Sequence, residues 1–184
     1  MERQRFLLSG SGGQGVITMA ILLAEAAVLY ENRVAVQSQS YGPEARGGAS
    51  RSDVIISDQE IYFPKVLQPN VLVTLTEQAA VKYMPLIRPG GMCLYDKDLV
   101  SPSSRVDAAL YGLPMYQTVM DTFGKTQNLN ICVLGALITL TGIVRRESVE
   151  KVLAARFKPA FHASNSKALD LGIQLAAPLV PAKA

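Results

Sequence analysis

Glycines at positions 10, 12 and 15 give the spacing G-x-G-x-x-G between a short apolar stretch and a long helical one. In that setting a tight turn lets an anion approach the free N–H groups and positive end of the helix, so phosphate is the chemistry it would serve. With Gly13 and Gln14 inside it, the turn reads Gly10-Ser11-Gly12-Gly13-Gln14-Gly15. A dinucleotide site also requires an acidic residue about 20 positions on, at the end of the second strand, to hold the ribose. Here that strand ends Val36-Gln37-Ser38, with no carboxylate, which argues against a nicotinamide or flavin dinucleotide. The plainer reading is that the glycines let the first helix pack closely on the sheet, and both readings stand at this point. Gly124-Lys125-Thr126 imitates the end of a P-loop, but Val119 occupies the place of that motif's first glycine and no strand leads into it.

Ser40 to Gly48 is the second unusual segment. Tyr41, Glu44, Arg46, Gly47 and Gly48 put a ring, a carboxylate and a guanidinium on a compact loop that can lie flat on a ligand or a partner. Arg46 offers a planar fork to a carboxylate or phosphate, and Arg51 is positioned to widen that positive site. Equally, Glu44 pairs with Arg46 or Arg51 on a surface turn. Attached after the second strand, the loop is expected near the carboxyl ends of the strands, where open α/β sheets bind ligands. The remaining reactive residues are few. Cys93 and Cys132 are far apart and outside any Cys-x-x-Cys, and His162 is the single histidine. They give no metal site, no cluster site and no acid–base pair, and the cysteines read as core packing. No catalytic residue is assigned.

The elements that must hold these segments emerge from periodicity and punctuation. Arg5 to Ser9 reads as a strand, Val16 to Tyr30 as a helix and Val34 to Ser38 as a strand, the order of a parallel crossover unit. Ser52 to Ser57 and Ile61 to Phe63, around Asp58-Gln59-Glu60, suggest an antiparallel hairpin. Alternation then resumes with a strand over Val71 to Leu75, a helix from Glu77 to Ile87 with Thr76 as its cap, a stop at Pro89-Gly90-Gly91 and a strand over Met92 to Tyr95. From Pro114 the chain turns helical: a segment to Phe123, then Asn128 to Ile143, Glu147 to Phe157 and Ser164 to Leu175. The expected fold class is α/β, a doubly wound Rossmann-like, mostly parallel sheet with an antiparallel hairpin and a helical C-terminal part. One domain over residues 1–184 is expected, with 177–184 a loose tail.

Composition narrows the function classes. Charged residues make up 18% of the 184 and hydrophobic ones 49%, against a usual charged share of about 25%. The net charge of +3 is scattered, with no basic run to attract nucleic acid. Ile131 to Val144, the longest apolar run, is interrupted by Thr139 and Thr141 and falls short of the roughly 20 residues that span a membrane. The start carries no secretory pattern, so a cytoplasmic location is expected. A thinly charged surface points to contact with another protein.

Taken together, Gly10-Ser-Gly-Gly-Gln-Gly15 and Ser40-Tyr-Gly-Pro-Glu-Ala-Arg-Gly-Gly48 resemble the gamma subunit, or gamma domain, of the 2-oxoacid:ferredoxin oxidoreductases. The likeness continues through Val54-Ile-Ile-Ser-Asp58, Arg88-Pro-Gly-Gly91 and the helix from Asn130 to Gly142 with its Leu-Gly-Ala-Leu core, and so covers nearly the whole chain. The form Tyr-Gly-Pro-Glu-x-Arg-Gly-Gly is most similar to the 2-oxoglutarate-specific branch, with pyruvate and branched-chain relatives the alternatives. The resemblance implies a multi-subunit enzyme that turns a 2-oxoacid and coenzyme A into acyl-CoA and carbon dioxide, with electrons passed to ferredoxin or a similar acceptor. It implies that thiamine diphosphate and the iron–sulfur clusters sit on other chains, and that the partners are alpha, beta and delta or ferredoxin-like subunits. The isolated chain is then expected to be inactive, and it could pair with a second copy through the surface meant for its partners. Glu44 is not taken as the glutamate that protonates thiamine, which the family keeps on a different chain. A free-standing nucleotide-binding protein and a structural adaptor are the other readings. If permanent docking is why charge is scarce, the charge-poor surface should concentrate beside Tyr41 to Gly48.

Overall fold

A computed structural model describes residues 3–40, 49–102 and 106–180. Six strands form one sheet: β1 (Gln4–Gly10), β2 (Val34–Ser40), β3 (Ser50–Ser57), β4 (Val71–Thr74), β5 (Gly91–Asp96) and β6 (Ala108–Leu113). Their order is β2-β3-β1-β4-β5-β6. The helices are α1 (Val16–Tyr30), α2 (Glu77–Tyr83), α3 (Met115–Phe123), α4 (Leu129–Thr141), α5 (Arg146–Arg156) and α6 (His162–Ala176). The sheet is parallel from β1 through β4 and β5 to β6, while β3 runs antiparallel to both β1 and β2.

This corrects three expectations. β1 and β2 do not adjoin, because β3 is inserted between them; α1 carries the chain over β3, so the crossover unit is split. Ile61 to Phe63 form no strand, and the antiparallel partner of Ser50–Ser57 is β2, with Ser40 opposite Arg51 and Val34 opposite Ser57. The helix expected to reach Ile87 stops at Tyr83 and continues as a 3-10 turn over Met84–Leu86, because Pro85 lacks the N–H a continued helix needs. Thr76 does cap α2, its hydroxyl accepting the Ala79 N–H at 3.2 Å. β6 is an addition. Ala177–Leu179, expected as tail, form a 3-10 turn.

Side-chain alternation divides the core between the two faces. Phe6, Leu8, Val54 and Ile56 meet α1 and α3 to α6 on one face. Leu7, Ile55, Leu72 and Cys93 meet α2 and Val66 on the other. No helix among the described residues is long and apolar enough to cross a membrane. α4 is buried because it is sandwiched in protein, as its apolar girth requires.

One polar tie joins the last turn of α1 to the start of α5. Glu31 Oε1 accepts the Arg145 backbone N–H at 3.0 Å, the Arg145 Nε–H at 3.1 Å and the Ser148 hydroxyl at 2.5 Å. Burial pushes the Glu31 acid up, but these hydrogen bonds outweigh it and hold the group below its ordinary value. The native state therefore binds the proton less readily than the unfolded chain. The resulting stability is present above about pH 4.5 and is lost as pH falls through the lower native value. Glu31→Gln is expected to cost about 1 kcal/mol at neutral pH and to flatten the acid limb of stability, read by urea melts at several pH values.

Candidate functional site

The sheet's winding changes hand between β1 and β4. From β1 the chain crosses one face through α1, and from β4 it crosses the opposite face through α2. The connections leaving the carboxyl ends of β1 and β4 therefore diverge, and a crevice opens at this switch point, the usual ligand position in an open α/β sheet. The turn Gly10 to Gly15 leaves β1 there. Gly10 pairs with Ser50, and Ser40 pairs with Arg51. The chain thus enters and leaves segment 41–48 at the same end of the sheet as the glycine turn. Tyr41, Glu44, Arg46, Gly47 and Gly48 themselves lie outside the described residues.

Within the turn the glycines have different reasons. Gly15 is the N-cap of α1 at φ 72 and ψ 24, a left-handed conformation that favours glycine. A Cβ on it would also lie 2.6 Å from Asn130 Nδ2. A Cβ on Gly10 would displace the Gln14 carboxamide, which folds back over it, and would stand 3.2 Å from Leu75 Cβ and Val16 Cγ2. Gly12 and Gly13, by contrast, face open space, with nothing within 4 Å of an added Cβ. Gln14 is the piece that sequence alone does not place. Its Oε1 accepts the Ser11 N–H at 2.7 Å, and its Nε2 donates to the Leu75 carbonyl at 3.3 Å, so the side chain spans the switch point from β1 to the end of β4. One of the turn's donors is therefore already engaged. The start of α1 has no side-chain cap, which leaves the positive end of a 15-residue helix beside an open glycine pair. Both the packing reading and the anion reading of the motif have a physical counterpart here, at different glycines.

Arg51, expected to widen this site, is engaged by its own strand neighbour. It is drawn to the α2 face, where its Nε and Nη2 donate to the two oxygens of Asp53 at 2.7 and 2.8 Å. It also donates to the Val66 carbonyl at 2.5 Å, and its guanidinium lies 5.5 Å from the centre of the Tyr83 ring. Burial lowers its proton affinity, yet the Asp53 carboxylate more than restores it. Strand alternation is the available signal, since residues two apart on β3 share a face.

Asp96, at the carboxyl end of β5, is a further residue that sequence reasoning leaves unassigned. Fully buried, it accepts the Tyr116 N–H at 2.6 Å and the Asp98 N–H at 3.1 Å, so it holds the start of α3 against the sheet. Burial pushes its acid up against the pull of those N–H groups. Both cysteines are buried, one in each core, and burial pushes each thiol up to about 12. Cluster ligation needs thiolates brought together at one centre, and these two lie in separate cores on opposite faces of the sheet. Among the described residues no group of three or more His, Cys, Asp or Glu side chains could hold a metal. His162 rests against the Phe157 carbonyl at 2.8 Å, where α6 begins.

The expected concentration of charge-poor surface beside Tyr41 to Gly48 falls on a segment outside the described residues; one group of exposed apolar side chains lies elsewhere. Val28, Leu29, Val34, Phe63, Leu67 and Leu86 are all exposed. They gather toward the amino ends of the parallel strands, where α1 and α2 finish, opposite the glycine turn.

Comparison with known proteins gives a consistent result. Residues 5–175 match the family described as pyruvate ferredoxin/flavodoxin oxidoreductase. The 2-oxoglutarate synthase subunit KorC of Methanocaldococcus jannaschii is 45% identical over 176 residues, which cover 95% of this chain and 94% of that one. The gamma subunit of keto/oxoacid ferredoxin oxidoreductase from Geobacter sulfurreducens superposes with a TM-score of 0.86 at 40% identity, covering 95% of this chain and 99% of that one. The 2-oxoglutarate:ferredoxin oxidoreductase of Magnetococcus marinus, solved with 2-oxoglutarate, coenzyme A and succinyl-CoA bound, has the same fold. Its TM-score is 0.88 at 23% identity, with all of this chain aligned to 32% of that longer one.

Proposed function

Since the chain belongs to the pyruvate ferredoxin/flavodoxin oxidoreductase family, we propose that it is the gamma subunit of a 2-oxoglutarate:ferredoxin or similar acceptor oxidoreductase. The reading rests on its end-to-end match, at 45% identity, to a 2-oxoglutarate synthase subunit of nearly the same length. The assembled enzyme converts 2-oxoglutarate and coenzyme A to succinyl-CoA and carbon dioxide in the cytoplasm, passing the two electrons released to ferredoxin or a similar acceptor. The chemistry of this chain agrees with a subunit that does not act alone. Its thiols are buried apart, and its buried acid Asp96 is committed to holding α3. Alpha and beta chains, with a delta or ferredoxin-like chain, carry the thiamine diphosphate and the iron–sulfur clusters.

The part left to this chain is to shape the approach of an anionic ligand. The Gly12–Gly13 opening and the uncapped start of α1 offer backbone donors to a coenzyme A phosphate. Arg46, on the loop whose two ends reach the same side of the sheet, supplies a guanidinium to that phosphate or to the substrate carboxylate. Arg46→Ala in the assembled enzyme is expected to raise KM for coenzyme A or the 2-oxoacid by the equivalent of about 1.5–3 kcal/mol, the worth of a hydrogen bond to a charged group. Kinetics and assembly that match the wild type would remove Arg46 from this role.

The assignment itself is tested by native co-purification. The wild-type chain should bring thiamine-binding and cluster-bearing chains with it, and reduction of a dye should depend on both 2-oxoglutarate and coenzyme A and appear only in the complex. Pyruvate or a branched-chain 2-oxoacid outpacing 2-oxoglutarate would move the chain to another branch. A chain that purifies alone from cells in which it is abundant would end the subunit reading.

A further inference from the structure

The amino end of the sheet, opposite the glycine turn, carries a second concave surface on the α2 face. It is an open cleft of about 760 Å³ bounded by Arg5, Phe63, Lys65, Leu67, Arg88 and Pro89. The three cations come from three separate pieces of chain: β1, the segment that crosses the sheet face between β3 and β4, and the turn before β5. Among the described residues no carboxylate lines the cleft, and neither Arg5 nor Lys65 has a carboxylate partner. The acids of the neighbouring segment are occupied, Asp58 with Arg33 at 3.8 Å and Glu60 with the Tyr62 hydroxyl at 2.5 Å. Phe63 is 53% exposed, Leu67 67% and Tyr62 85%.

We propose that this cleft docks an acidic segment of another polypeptide, with carboxylates flanking an apolar side chain. Arg5 and Lys65 call for an acid, Arg88 being already engaged, and the outward-standing Phe63 and Leu67 decide its class. A small anion would satisfy the guanidinium and ammonium groups but leave the apolar side chains in water. A polypeptide covers both, in the manner of interfaces built on aromatic and arginine anchors within a polar rim. The proposal rests on the reading of the chain as a subunit, because a partner chain is then present throughout its working life. It places that partner at the end of the sheet away from segment 41–48, so this contact and the glycine turn can be altered independently.

The test uses the co-expressed complex and the variant Phe63→Ser/Lys65→Glu. Both side chains are exposed, so the isolated variant should melt like the wild type. Association of the variant with the other chains, measured by sedimentation across a range of chain concentrations, is expected to weaken by roughly tenfold or more. Wild-type association should weaken as salt rises, and the variant should lose most of that dependence. Lys158→Glu, an exposed charge reversal between α5 and α6 and outside the cleft lining, serves as the control and should leave association unchanged. A complex indifferent to both Phe63→Ser and Lys65→Glu overturns the proposal. So does Lys65-dependent binding of inorganic pyrophosphate to the isolated chain with assembly unaffected, which would make the cleft a small-anion site. A wild-type chain that purifies alone overturns the subunit reading as well, whereas an indifferent complex overturns only the cleft.

Discussion

Gly172→Ala should destabilise the chain by about 3 kcal/mol or more, the upper part of the usual cost of overpacking a core. For a chain of this size that lowers the melting temperature by roughly 6–12 °C. The cause is the approach of α6 to α4. A Cβ at Gly172 would collide with the Cys132 carbonyl oxygen and stand 2.7 Å from the Ala136 backbone nitrogen, while one at Gly135 would collide with the Leu169 carbonyl. Backbone atoms cannot rotate out of the way as a side-chain tip can, so the two helices would have to separate along their whole contact. That contact matters because α6 packs directly on α4, and α4 is buried from Leu129 to Ile138. Asn130 of α4 also backs the left-handed Gly15, so a displaced α4 would reach the glycine turn as well. Gly12→Ala is the control: its Cβ meets nothing within 4 Å and its φ is not positive, so its melting temperature should stay near that of the wild type. Thermal melts of the two variants beside Gly135→Ala decide the matter, and a Gly172→Ala chain as stable as Gly12→Ala would refute the packing argument.

The difference between those two glycines is a fair measure of what a sequence can disclose. Apolar runs closed by glycine or proline make β1, α1, β4, β5 and the long helices legible, because each carries its own periodicity and its own stop. Pairing partners are not local in that way. Ser52 to Ser57 is plainly a strand, but nothing in its composition tells whether the antiparallel neighbour lies after it or before it. The segment after it is pulled across the sheet face when Val66 is buried and its N–H is taken by Asp53 at 3.2 Å. β6 escapes notice because its Ala-Ala-Leu-Tyr-Gly-Leu is an edge strand, half exposed and weakly patterned, and it is defined mainly by its pairing with β5. The glycine turn is legible as a type. That Gln14 reaches across it to Leu75 depends on where β4 ends beside β1, which is a property of the assembled sheet.

Arg51 and Asp53 supply the second large effect, and it bears directly on which arginine meets a ligand. Asp53→Ala should cost about 2–3 kcal/mol, at or just below the penalty for removing one partner of a buried ion pair, because Asp53 is buried while the Arg51 side chain is 19% exposed. The guanidinium would remain among Val66, Tyr83 and the sheet, with its fork unfilled. Arg51→Ala should cost a similar amount, since it leaves the Asp53 carboxylate buried with only the Val66 N–H as a partner in the pair's place. Because the two residues act as one unit, the double variant Arg51→Ala/Asp53→Ala should be less destabilised than the sum of the singles, by roughly 0.5–3 kcal/mol in a double-mutant cycle. The functional consequence separates Arg51 from Arg46. An arginine held by two bonds to its own strand neighbour has few donors left for a ligand, so at a temperature where Arg51→Ala remains folded and assembled, KM for coenzyme A and for the 2-oxoacid should equal that of the wild type. A raised KM in Arg51→Ala, with stability and assembly intact, would mean that the Asp53 pair opens in the complex and that the positive site includes both arginines. The expected contrast is a stability phenotype at Arg51 and a KM phenotype at Arg46. It would assign the anion to Arg46 and leave the Arg51–Asp53 pair to hold the start of β3.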